Sequence, residues 1–232
     1  MTVNEMITSF SQYYDKMTNL AAPGYEDSEI LLFLNNAQDN FIKARMFGDN
    51  FVQPAFEDNQ KRVADLRPLL EEEKFDGSFE DNDYFTYSKG ILIPDDTMFI
   101  LGLSALVSRS EPSVTKELFE CDFVKTEIAR KFDTTTFNKP FFIKPKYYVN
   151  GSTIYAIFDG YNINYADDDH FFYLRYIRIP TILAASGAED SCDLENYARQ
   201  EIVDIAVREA MQVSQDQRFE TKVIEEKNVK TQ

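Results

Sequence analysis

Asp167-Asp168-Asp169 followed by His170, the sole histidine of the chain, is the densest run of groups able to hold a metal or move a proton. Convergence on one ion needs side chains that point to one place, and consecutive residues on a strand or turn point in different directions. A calcium loop would also need a glycine at its sixth position and a glutamate at its twelfth, and neither follows here. The run therefore reads as a solvated hairpin turn. Asp95-Asp96, after Ile91-Leu92-Ile93-Pro94, has the form of a carboxylate pair, but proline followed by aspartate is turn chemistry and a strand end is the better reading. Glu71-Glu72-Glu73 reads as a solvated helix end rather than a cation site. Cys121 and Cys192 lack any metal-ligand spacing and fit a reduced compartment better than a disulfide scaffold. GxSxG, Walker A, GxGxxG and HExxH signatures are all missing. A nucleophile paired with histidine would have to use His170 among its carboxylates. The chain is expected to be no enzyme and to need neither cofactor nor metal. An enzyme using Asp167–His170 or Asp95-Asp96 as a metal site is the minor alternative.

Composition narrows the classes further. The 232 residues include 24 basic and 40 acidic side chains, a formal net charge of −16. Gripping a phosphate backbone needs clustered Lys and Arg, so specific nucleic-acid binding is disfavoured, whereas a protein that DNA passes without sticking is not. The 20 Phe and 13 Tyr, with no Trp, suit strands and interfaces as well as a core. The N-terminus has no basic region followed by an apolar one, and no apolar run approaches the ~20 residues that span a bilayer. A soluble protein without membrane contact is expected.

The elements that would position these groups fall into helix, strand and helix again. Thr2 and Glu5 have capping-box spacing, and Val3, Met6, Ile7, Phe10, Tyr14, Met17 and Leu20 form one helical stripe that Pro23-Gly24 ends. A second helix starts at Asp27 or Ser28 and ends at Gly48. Ile30, Leu31, Leu34, Ala37, Phe41 and Ile42 face inward on it, with Asn35, Gln38, Asp39 and Lys43 outward. A third helix is expected from about Pro54 to Leu66, interrupted by Arg67-Pro68. Each has one apolar stripe, so none would be stable alone.

From Glu71 to Asp83 the chain reads as an irregular acidic excursion. Strands are then expected at Tyr84–Tyr87, Ile91–Ile93, Met98–Ser108, Cys121–Glu127, Tyr147–Val149, Thr153–Phe158, Tyr161–Tyr165 and Phe171–Ile179, with a short helix over Glu127–Phe137. Met98–Ser108 is also long enough for a helix. Asn150-Gly151 signals a tight type I′ hairpin, Asp159-Gly160 a second and Asp167–His170 a wider third, which together make an antiparallel meander ending at Pro180. Asp193 then caps a closing helix from Leu194 to about Phe219 whose apolar face includes Leu194, Tyr197, Ile202, Ile205, Ala206 and Val213. The fold class is α+β. A discontinuous helical bundle (residues 1–70 and 188–219) carries an inserted antiparallel β domain (71–187), followed by a C-terminal arm (220–232).

Several segments resemble head–tail connector proteins of short-tailed bacteriophages. Ile30-Leu31-Leu32-Phe33-Leu34-Asn35-Asn36-Ala37-Gln38-Asp39-Asn40-Phe41-Ile42-Lys43 is similar to a helix common in that family, with its Ala-Gln pair ahead of an aromatic-Ile-Lys step. Ile93-Pro94-Asp95-Asp96 resembles the entry into the family's β domain. Asn138-Lys139-Pro140-Phe141 and Tyr173-Leu174-Arg175-Tyr176-Ile177-Arg178-Ile179-Pro180 look like later landmarks. Cys192-Asp193-Leu194, leading into Glu201-Ile202-Val203-Asp204-Ile205-Ala206-Val207, looks like the closing helix. The order matches over about residues 5–215, and the nearest likeness is to the adaptor or gatekeeper ring proteins of crAss-like phages.

That resemblance implies a structural subunit of a dodecameric ring at the head–tail junction of the virion, assembled in the host cytoplasm. Its implied partners are further copies of itself, the portal protein and adjacent tail or ring proteins, with genomic DNA passing through the channel unbound. The arm beginning at Arg218 would dock on the portal or a neighbouring ring, with Arg218, Phe219, Lys222, Val223, Ile224 and Lys227 as candidate contacts. Glu71, Glu72, Glu73, Glu80, Asp81 and Asp83 are candidate lumen or interface carboxylates. A non-ring tail accessory or adhesion module of the virion is the alternative reading.

Overall fold

The computed structural model describes residues 1–18, 24–47, 60–76, 88–108, 116–129, 144–158, 171–184 and 192–213. It is α+β and separates into two compact units: Met1–Leu69 with Pro180–Gln232, and Leu70–Ile179.

The first unit is helical. α1 (Val3–Thr18) opens on the expected capping box, in which the Thr2 amide donates to Glu5 Oε2 at 2.8 Å and the Glu5 amide to Thr2 Oγ1 at 3.2 Å. α2 (Asp27–Phe47) begins differently from the expectation. The Ile30 amide donates to the Glu26 carbonyl and the Glu26 amide to Glu29 Oε2 at 2.9 Å, so Glu26 is the cap and neither Asp27 nor Ser28 serves. α3 (Gln60–Leu66) tightens into a single 3₁₀ turn at Arg67–Leu69, where Pro68 cannot continue the helix. The remainder of the expected third helix, from Pro54, lies outside the described residues.

α5 (Asn196–Val213) packs against both α1 and α2. It buries Ala198, Arg199, Ile202, Val203, Ala206, Val207, Ala210 and Met211, a recurring pair of neighbours every fourth residue. That stripe is wide enough to meet two helices, and its small alanines let them approach. Two expectations for this helix change. Tyr197 and Val213 are exposed rather than on the inner face. Asp193 does not cap the helix: the Ala198 and Arg199 amides donate to the Glu195 carbonyl, while Asp193 Oδ2 accepts from the Thr181 amide at 2.8 Å. The expected stretch 214–219 lies outside the described residues.

The second unit is a seven-stranded sheet of order β1-β7-β3-β4-β5-β6-β2. Its strands are β1 (Leu70–Asp76), β2 (Ser88–Leu92), β3 (Thr97–Ser108), β4 (Lys116–Phe123), β5 (Lys146–Asn150), β6 (Thr153–Ile157) and β7 (Phe171–Arg178). Alternate residues fill one core, with Leu103, Ala105 and Val107 from β3, Phe172, Leu174 and Tyr176 from β7, and Ile154 and Ala156 from β6. Ile91 of the terminal strand β2 joins the same cluster, and Phe75 of β1 at the other end packs on it, so the sheet curls around its contents. The β3 run is strand, not helix. A short helix, α4 (Thr126–Ala129), brings Ala129 onto Tyr148 and Ile157 in a second small cluster. Of the expected helix over Glu127–Phe137, residues 127–129 are helical in α4 and residues 130–137 lie outside the described residues.

Three features of the sheet correct the sequence reading. Residues 71–76 of the supposed acidic excursion belong to β1, which pairs with β7 along its whole length, Leu70 opposite Ile177 and Asp76 opposite Phe171. The meander does not form, because β7 lies between β1 and β3 while β6 lies between β5 and β2. The sheet is mixed rather than purely antiparallel, since β4 and β5 run parallel at Asp122–Lys146 and Phe123–Tyr147. The first hairpin is present, but with Asn150 opposite Thr153 its two-residue loop is Gly151-Ser152, one step later than expected. Gly151 has φ 62°, the left-handed conformation that a tight hairpin loop demands at its first position. Tyr84–Tyr87, Asp159-Gly160, Tyr161–Tyr165 and Asp167–His170 lie outside the described residues.

Candidate functional site

Of the expected carboxylates, Glu71, Glu72 and Glu73 are placed by β1, the strand at one end of the sheet. All three are exposed. Pairing alternates their faces: Glu71 and Glu73 stand beside Tyr176 and Leu174 on the core-facing side of β7, and Glu72 stands opposite Arg175 on the other side. Charged side chains on a terminal strand disfavour pairing with a further strand, which fits their position. Glu80, Asp81 and Asp83 lie outside the described residues, as do Arg218, Phe219, Lys222, Val223, Ile224 and Lys227.

The register gathers what the sequence keeps apart. The Tyr176 hydroxyl donates to Asp96 Oδ1 at 3.4 Å, a long and weak bond. Burial, and then the charges of Asp96, Glu71 and Glu73, push the Tyr176 hydroxyl from its usual 10.0 up to about 12. Arg178 Nε lies 3.1 Å from Glu71 Oε1 and supplies a cation to the group. Asp95-Asp96 has the turn role expected of it, since the Thr97 amide donates to the Pro94 carbonyl at 3.0 Å and the Ile179 amide to the Asp96 carbonyl at 2.6 Å. The result is a carboxylate-rich end of the β unit around a tyrosine that stays protonated at neutral pH. Sequence alternation along Phe171–Arg178 marks Tyr176 as inward-facing, but nothing in the sequence signals that β1 lies beside it. Among the described residues, no group of three His, Cys, Asp or Glu is placed to hold a metal ion.

In the helical unit, Arg45 joins three helices. Its Nε lies 2.5 Å from Asp65 Oδ2 of α3 and a terminal nitrogen lies 2.5 Å from Glu201 Oε2 of α5. The guanidinium also sits 4.6 Å from the centre of the Phe41 ring. Arg199, on α5, is buried. Its guanidinium donates to the Leu194 carbonyl at 2.6 Å, the Cys192 carbonyl at 2.8 Å and the Met1 carbonyl. These bonds tie α5 to the backbone at Met1, Cys192 and Leu194. Both arginines are therefore occupied in holding the unit together.

Several apolar side chains remain at the surface. On the β unit, Leu118 is 61% exposed, Phe123 60% and Leu92 70%. Phe123 packs edge-on against Tyr147, with ring centres 5.5 Å apart. No described helix is long and apolar enough to cross a membrane. No protein-family model matches the chain, and no curated protein does.

Proposed function

We propose that this chain is a structural virion protein: one subunit of a homo-oligomeric, dodecameric ring at the head–tail junction of a short-tailed phage, joining the portal to adjacent tail or ring proteins. The observation that carries the reading is the division of the chain. Residues from both ends build one helical unit, and the stretch between them builds a separate β unit with its own core. This is the helix, β insertion, closing helix order that the connector resemblance implies. A subunit in a closed ring needs two complementary faces for its neighbours and further surface for the rings above and below, and two separately built units supply such surfaces.

Charge supports the channel role. A net charge of −16, with Glu71, Glu72 and Glu73 exposed on a terminal strand, repels phosphates and lets DNA slide past without being held.

Native mass spectrometry of the purified full-length chain, alone and with portal rings of the phage that encodes it, tests the proposal. A closed oligomer, formed alone or on the portal, is the expected result. A chain that stays monomeric and ignores the portal overturns it. Immunogold labelling at the capsid vertex agrees with the connector role, whereas label at a distal tail position would transfer the chain to a tail accessory or adhesion role.

A further inference from the structure

The chain passes between its two units twice, at Leu69–Leu70 and at Ile179–Pro180. The two crossings are built differently. At the first, Leu66 and Leu69 are fully buried, and Leu70 begins β1 directly with its pairing to β7. At the second, β7 ends and residues 180–184 lie against α2 without belonging to any helix or strand.

Side chains of α2 and of Asp193 hold this strap. Asn35 grips Leu183 at both backbone groups: its Oδ1 accepts from the Leu183 amide at 2.8 Å and its Nδ2 donates to the Leu183 carbonyl at 3.2 Å. Gln38 Nε2 donates to the Thr181 carbonyl at 3.1 Å, and Asp193 accepts from the Thr181 amide at 2.8 Å. Pro180 and Leu183 are buried, while Thr181, Ile182 and Ala184 are exposed. Ile182 is 74% exposed and points its apolar side chain to solvent. Segments outside any helix or strand, held by side-chain hydrogen bonds rather than by a backbone ladder, open at a lower free energy than the core they rest on.

We infer that residues 180–184 form a releasable strap that leaves α2 as one piece, while the Leu69–Leu70 crossing stays fixed. Release frees Pro180 to Ala184 from the helical unit and adds up to ~3.3–3.6 Å of reach per freed residue to the connection leaving β7. Such a device lets a subunit accommodate different neighbours without unfolding either core, and it stands whether or not the ring reading does.

Amide hydrogen exchange on the full-length chain, resolved at single residues, tests the strap. The Thr181 and Leu183 amides should exchange at least ~10-fold faster than those of Ile202, Val203 and Ala206 in α5, because they open locally rather than with the whole unit. Asn35→Ala removes the partner of Leu183, and Asp193→Ala removes that of Thr181. Each variant should accelerate both amides and leave the α5 amides unchanged. Acceleration confined to the amide whose own partner was removed would show that the strap does not leave as a piece and would overturn the inference. Exchange of Thr181 and Leu183 at the α5 rate in the unaltered chain would overturn it as well.

Discussion

Arg45 holds Asp65 and Glu201 at 2.5 Å each, but the two carboxylates differ in exposure, with the Asp65 side chain 2% exposed and that of Glu201 44%. Removing the cation leaves Asp65 charged in a place where water cannot solvate it, and breaking a buried pair from one side costs about 3–5 kcal/mol. Arg45→Met should destabilise the helical unit by that amount in urea denaturation followed by helical circular dichroism. Glu201→Gln should cost under about 1 kcal/mol, as for an exposed pair. Equal losses from the two variants would show that burial is not what separates the two contacts. Nothing in the sequence marks this pair, because Arg45 and Asp65 lie on different helices. Polarity misleads in the same way at Asn35 and Gln38. Both read as outward because amides prefer water, yet Gln38 is buried and Asn35 half-buried, since each has backbone groups of the strap to bond. Polar residues assigned to a surface by type alone go wrong wherever an irregular segment needs partners.

Elements were legible to the extent that their signals were local. The α1 capping box, with both its hydrogen bonds, needs only Thr2 and Glu5, and the hairpin at Gly151 needs only one residue able to adopt positive φ. At φ 62° an L-residue with a Cβ is strained, by roughly 1–2 kcal/mol. A Cβ at Gly151 would meet nothing within 4 Å, so the cost is in the backbone alone. Gly151→Ala should therefore destabilise the β unit by about 1–2 kcal/mol. Gly151→Asn should cost less, because asparagine tolerates the left-handed region. Chemical denaturation of the two variants checks the ranking, and an alanine variant as stable as the original would remove the argument. β1 shows the opposite case. Leu70-Glu71-Glu72-Glu73-Lys74-Phe75-Asp76 has poor strand propensity and no alternation, and it is a strand because β7 offers it an open ladder. The mixed sheet order was equally out of reach, since which strands become neighbours is set by long-range packing. The carboxylate group around Tyr176 inherits that limit: its members were visible as residues and invisible as a site.

At the scale of the whole molecule, two units built from one interrupted chain should respond separately to a stress that reaches each through its own residue. Alkali is such a stress. Tyr25, whose hydroxyl donates to the Ala210 carbonyl at 3.3 Å, belongs to the helical unit, and Tyr176 to the β unit. Burial, followed by the neighbouring Tyr14 hydroxyl, pushes Tyr25 from 10.0 up to about 12, and burial beside Asp96, Glu71 and Glu73 does the same to Tyr176. Each fold keeps its tyrosine protonated over an interval in which the unfolded chain loses the proton. The stability this represents is complete below pH 10 and is lost as pH rises through about 12. Phenylalanine cannot ionise, so Tyr25→Phe removes that loss from the helical unit and Tyr176→Phe removes it from the β unit. All the described helices except the four-residue α4 lie in the helical unit, so helical circular dichroism reports on that unit nearly alone. In an alkaline titration, Tyr25→Phe should move the loss of helical signal to higher pH, and Tyr176→Phe should leave it where it was. A shift of similar size from both variants would mean that the two units unfold as one, and that the division of labour drawn from their separate cores does not extend to their stability.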